Sequence, residues 1–72
     1  MPNILLTARE REVARLVAGG QTNKEIARSL GVTPATAKWH VSQILTKLGL
    51  QGRVQLAVYA HDHLNRTPVP QA

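Results

Sequence analysis

The chain has 72 residues and no cysteine, Trp39 and Tyr59 are its only Phe, Trp or Tyr residues, and nine Lys and Arg against four Asp and Glu give a net charge of +5. So short a chain allows one domain with a small aliphatic core, and the missing cysteines exclude a disulfide scaffold, Cys-ligated zinc, thiol redox chemistry and iron–sulfur clusters. No apolar run approaches the roughly 20 residues of a membrane span, and the N-terminus lacks the basic-then-apolar layout of a signal peptide, so a cytoplasmic protein without membrane contact is expected.

Punctuation along the chain predicts four helices. Thr7 stands three residues before Glu10, the spacing of a capping box in which hydroxyl and carboxylate satisfy the free amides of a helix start. A helix follows over about 8–18, with Val13, Leu16 and Val17 on one face and Gly19-Gly20 as its stop. Thr22 and Glu25 repeat the box ahead of a helix over about 23–30, which turns Ile26, Ala27 and Leu30 inward and stops at Gly31. Thr33-Pro34 opens the third, over about 34–48, with Pro at the first helical position, where its missing N–H costs nothing. Ala37, Val41, Ile44, Leu45 and Leu48 form its apolar stripe, and Gly49 ends it. The fourth, over about 53–64, is opened only by Gly52; Val54, Ala57, Val58 and His61 are its expected inward face, with Leu64 near its end. Residues 65–72, with Pro68 and Pro70, are expected to fray. No segment alternates with period two for long, so residues 1–72 read as a single all-α domain, a four-helix bundle.

The positive charge is concentrated. Residues 23–53 hold Lys24, Arg28, Lys38, Lys47 and Arg53 against Glu25 alone, which suggests a polyanionic partner, most often nucleic acid. Between the second and third helices, Ser29-Leu30-Gly31-Val32-Thr33-Pro34 ends one helix on Gly, turns Val32 inward and caps the next. Ala27 stands four residues before the Gly, where the helices pack closely. This is the layout of a helix-turn-helix, whose second helix enters the DNA major groove.

At about 100° per residue, Trp39 falls nearly opposite the apolar stripe of the third helix, flanked by Lys38 and Ser42. An outward Trp at a helix centre calls for a partner. Thymine methyls, the sugar-phosphate wall, a neighbouring turn and a second subunit are the alternatives, the DNA contact being favoured. Lys38 can donate to guanine N7 and O6, and Ser42 can donate or accept; Gln43 lies further round. His40 borders the core, as a packed histidine or a phosphate contact. Thr22, Asn23 and Lys24, at a helix start where free amides attract anions, are phosphate candidates, and Lys47, Arg28 and Arg53 extend the set.

Five segments in order carry a family resemblance: Leu6-Thr7-Ala8-Arg9-Glu10-Arg11-Glu12-Val13, Asn23-Lys24-Glu25-Ile26-Ala27, Thr36-Ala37-Lys38-Trp39-His40-Val41, Lys47-Leu48-Gly49 and Arg53-Val54-Gln55. From about residue 5 to residue 64 the chain resembles the LuxR-type helix-turn-helix domain of bacterial transcription regulators, response regulators among them. The resemblance implies a four-helix bundle whose third helix reads double-stranded DNA and whose fourth forms a homodimer contact. It assigns base reading to Lys38, Trp39 and Ser42, and phosphate contact to Thr22, Asn23, Lys24 and parts of the third helix such as His40 and Lys47. Glu10 matches a nearly constant family acid of structural role, expected in a buried or half-buried pair with an Arg. Ala14 and Ala37 stand where the family often has larger residues, and Trp39 where many members have a smaller one. For the dimer, Leu56, Tyr59 and Ala60 are the outward positions expected to meet. The resemblance also implies an N-terminal receiver or signal-sensing domain that these residues do not contain, and RNA polymerase as a candidate partner.

Two other classes stand against this reading. No nucleophile, base and orienting group converge as in an enzyme, and no cofactor or metal is expected. His61 and His63 are two apart on a helix, not the four of a helical zinc pair. A protein-interaction module is the rival: a sigma-factor region 4 domain, which contacts polymerase as well as promoter DNA, tends to end soon after its recognition helix in a basic run, and a domain that binds only proteins would not need the basic outward face.

Overall fold

The computed structural model describes residues 6–64. They form α1 (Ala8–Ala18), α2 (Asn23–Leu30), α3 (Pro34–Leu48) and α4 (Arg53–His63), with no strand among the described residues. The fold is all-α with a helix-turn-helix. The segment 65–72, expected to fray, lies outside the described residues.

Side-chain caps start the first three helices. Thr7 Oγ1 accepts from the Glu10 amide at 3.1 Å while the Glu10 carboxylate accepts from the Thr7 amide at 2.9 Å. Thr22 and Glu25 repeat the exchange at 3.2 and 2.8 Å. Thr33 Oγ1 accepts from the Thr36 amide at 3.1 Å, with Pro34 following. Each cap is worth about 1 kcal/mol. Gly31 and Gly49 close α2 and α3 in the left-handed region, at φ 71° and 67°. There the amides of Val32 and Leu50 return to the carbonyls of Ala27 and Leu45 at 3.0 and 2.9 Å, a closure that a β-carbon at either glycine would strain.

α1 lies against α4 and α3, and α2 against α3. Val13, Ala14 and Val17 meet Ile26, Ala37, Val41 and Ile44 in a core that is closed to water. Ala14 and Ala37, both fully buried, place no bulk between the helices at these points.

α4 departs from the expected inward face. Leu56 and Ala60 are fully buried, whereas Val54 is 77% and Val58 55% exposed and His61 is also outside. α4 carries apolar residues all round, so its own spacing does not choose a face; packing on α1 chooses the one on which Leu56 and the small Ala60 allow close approach. Leu56 and Ala60 are therefore core residues and cannot be the outward dimer positions expected from the sequence.

Glu10 is the one buried charged side chain among the described residues, and its partner is a lysine rather than the expected arginine. Lys47 Nζ donates to Glu10 Oε1 at 2.8 Å, joining the start of α1 to the end of α3. Burial pushes the Glu10 carboxyl up, but the hydrogen bond from Lys47, the Thr7 amide and the ammonium charge together hold it below its ordinary 4.5.

Candidate nucleic-acid interface

The turn over residues 31–33 sets α3 on α2, and the buried stripe of Ala37, Val41 and Ile44 fixes the roll of α3. The opposite face consequently stands in solvent. Lys38, Trp39, Ser42 and Thr46 are all exposed on it, Trp39 to 58%. The Trp39 ring meets His40 edge-on, with centroids 5.2 Å apart, so the half-buried imidazole supports one side of the indole. Thr46 Oγ1 donates back to the Ser42 carbonyl at 3.1 Å, which turns that hydroxyl along the helix. Gln43 is half-buried beside this face. The face offers one cation, one flat apolar ring and one free hydroxyl.

A second polar group lies at the start of α2. Thr22 Oγ1 accepts from the Glu25 amide, leaving its O–H available to donate. Lys24 is exposed and Asn23 half-buried. The Glu25 carboxyl is held below its ordinary value by the Thr22 backbone amide, then by the Thr22 side chain, with a smaller contribution from Arg28. This negative charge is turned into the cap.

Two expected contacts have other occupations. Lys47, expected at a phosphate, has its ammonium on Glu10. Arg53 reaches across to the start of α2, donating to Asn23 Oδ1 at 2.7 Å and to the Gln21 carbonyl. Of the expected dimer residues only Tyr59 reaches solvent; it is half-buried, its ring tilted against His63 with centroids 4.7 Å apart.

Two features of the structure were not among the sequence expectations. Val54 and Val58, one helical turn apart, form the exposed apolar pair of α4; the complementary series Leu56, Ala60, Leu64 was the signal that could have found them. The Arg53–Asn23 bond spans 30 residues and leaves no local signal.

Residues 5–60 match the model of the family described as bacterial regulatory proteins, luxR family. Over 65 residues the chain is 49% identical to the transcriptional regulatory protein LiaR of Bacillus subtilis (strain 168), covering 89% of this chain and 31% of that protein. Over 59 residues it is 48% identical to the response regulator protein VraR of Staphylococcus aureus (strain NCTC 8325 / PS 47) and to VraR of Staphylococcus epidermidis, covering 82% of this chain and 28% of each. The chain thus spans less than a third of the length of these relatives.

Proposed function

The chain belongs to the luxR family of bacterial regulatory proteins, a family of DNA-binding transcription regulators, and from that premise we propose that α3 enters the major groove of double-stranded DNA and reads sequence there. The observation that carries this reading is the exposed face of Lys38, Trp39 and Ser42, opposite the buried stripe of the same helix. A solvent-facing indole beside a cation is poorly explained by folding alone. Lys38 donates to guanine O6 and N7, Ser42 exchanges a hydrogen bond with a base edge, and Trp39 lies on thymine methyls or the sugar wall. Thr22, Asn23, Lys24 and His40 contact phosphates and set the register without reading sequence. Lys47 stays in this set, because its ammonium donates only one of its three N–H groups to Glu10 and its side chain reaches solvent.

The protein acts as a homodimer on DNA, in the cytoplasm, through α4. Val54 and Val58 replace Leu56 and Ala60 as the apolar contact, with Tyr59 beside them. Selection from a pool of randomised duplexes, followed by mobility shift on the enriched site, tests the reading. A recurring two-half-site sequence is expected. Absence of any binding at low salt would hand the lead to a protein-interaction module.

A further inference from the structure

Arg53 is the first residue of α4, where a cation opposes the helix dipole. Its guanidinium turns away from its own helix to the start of α2, bonding Asn23 Oδ1 and the Gln21 carbonyl. Arg53, Asn23 and Gln21 are all half-buried. Among the described residues α2 and α4 share no packed interface, so this fork links two helices that otherwise communicate through α1 and α3.

The chemistry of the fork settles the orientation of Asn23. A guanidinium only donates, so the atom it meets is the carbonyl oxygen of the carboxamide, and the amide nitrogen must occupy the other position. Asn23 Nδ2 has no hydrogen-bond partner among the described residues, and it stands beside Thr22 and Lys24 at the helix start. Phosphate oxygens only accept, so a carboxamide flipped the other way would set oxygen against oxygen.

We propose that Arg53 is a positioning residue for the DNA backbone contact: it locks the Asn23 carboxamide with its N–H groups free to donate to a phosphate, and ties that contact to α4. The proposal rests on the reading of the α2 start as a phosphate site. It differs from a direct Arg53–phosphate contact, because here the guanidinium acts through Asn23.

A double-mutant cycle on the full chain separates these cases, with anisotropy of a mixed-sequence duplex as the readout and the unfolding midpoint as the control for folding. Asn23→Ala should weaken binding by about tenfold, the size expected for a lost hydrogen bond to a charged group. Arg53→Ala should weaken the wild-type chain comparably but change the Asn23→Ala variant by less than about twofold. Additive losses would overturn the proposal by placing Arg53 on a phosphate itself, with the DNA-binding reading intact. Unchanged affinity in Asn23→Ala would overturn it by removing the phosphate contact, whereas a wild-type chain that binds no duplex would sink the DNA-binding reading itself. Should Arg53→Ala fail to fold, the wild-type chain carries the test by nuclear magnetic resonance. The side-chain amide signals of Asn23 should shift on addition of duplex, and unmoved signals would overturn the assignment.

Discussion

Lys38 is where chemistry and position agree most closely. It is exposed beside Trp39 on the face opposite the core, and its place on that face followed from counting 100° per residue from Ala37. Lys38→Ala should cost about 1–3 kcal/mol on the preferred site and relax discrimination at one base pair. Affinities for the enriched site and its single-base variants check this, and undiminished discrimination would remove Lys38 from the readout. Lys24→Ala should act differently, weakening all duplexes alike and lowering the salt slope by about one; a wild-type slope in this variant would mean that Lys24 meets no phosphate. Lys47 shows the limit of residue-level reading. Its partner Glu10 lies 37 residues away, so nothing near Lys47 in the chain announces the pair. The pair predicts a pH effect with a definite sign. The folded carboxyl is lowered from its ordinary 4.5, so its stabilisation is complete above that value and disappears as pH falls through the lower folded one. Glu10→Gln keeps an acceptor oxygen and removes the charge. The stability advantage of wild type over this variant in urea unfolding should therefore shrink as pH falls below the ordinary 4.5 and through the lowered folded value; an advantage independent of pH would show that the charge contributes nothing.

At the scale of elements, the starts and stops of α1, α2 and α3 were legible because their signals are local. A Thr hydroxyl three residues before a Glu, or a Gly one residue past the last apolar position, works through hydrogen bonds to its immediate neighbours. α4 lacks such signals. Gly52 makes no side-chain cap bond, and Val54, Leu56, Ala57, Val58 and Ala60 cover more than one face. Only the surface of α1, far away in the chain, selects Leu56 and Ala60 for burial. The two faces should respond oppositely to substitution. Leu56→Ala should cost about 2–5 kcal/mol of stability by opening a cavity against α1. Val54→Glu and Val58→Glu should leave thermal stability within about 0.5 kcal/mol while abolishing cooperative occupation of two half-sites. Calorimetry beside mobility shifts separates the outcomes, and cooperative binding by the Val58→Glu variant would exclude this face as the dimer contact.

Across the whole molecule, the proposed DNA contacts are drawn from two helices. Lys38, Trp39 and Ser42 come from the middle of α3, and Thr22, Asn23 and Lys24 from the start of α2, with the turn at Gly31 holding the two helices together. The concentration of charge between residues 23 and 53 points to a polyanion, but which of these cations are bonded within the fold depends on long-range packing that composition does not carry. Arg53 and Lys47 both count toward the net charge of +5, and both are bonded within the fold. The central claim, that the outward face of α3 meets DNA, is tested most directly by its own indole. Trp39 is the only tryptophan, so its emission can be followed with the anisotropy of a labelled mixed-sequence duplex over a series of salt concentrations. The account predicts that both signals change together, with a dissociation constant of about 10⁻⁴–10⁻⁶ M that weakens steeply with salt. Duplex binding with unchanged Trp39 emission would contradict the docking face, and no binding at low salt would contradict the function.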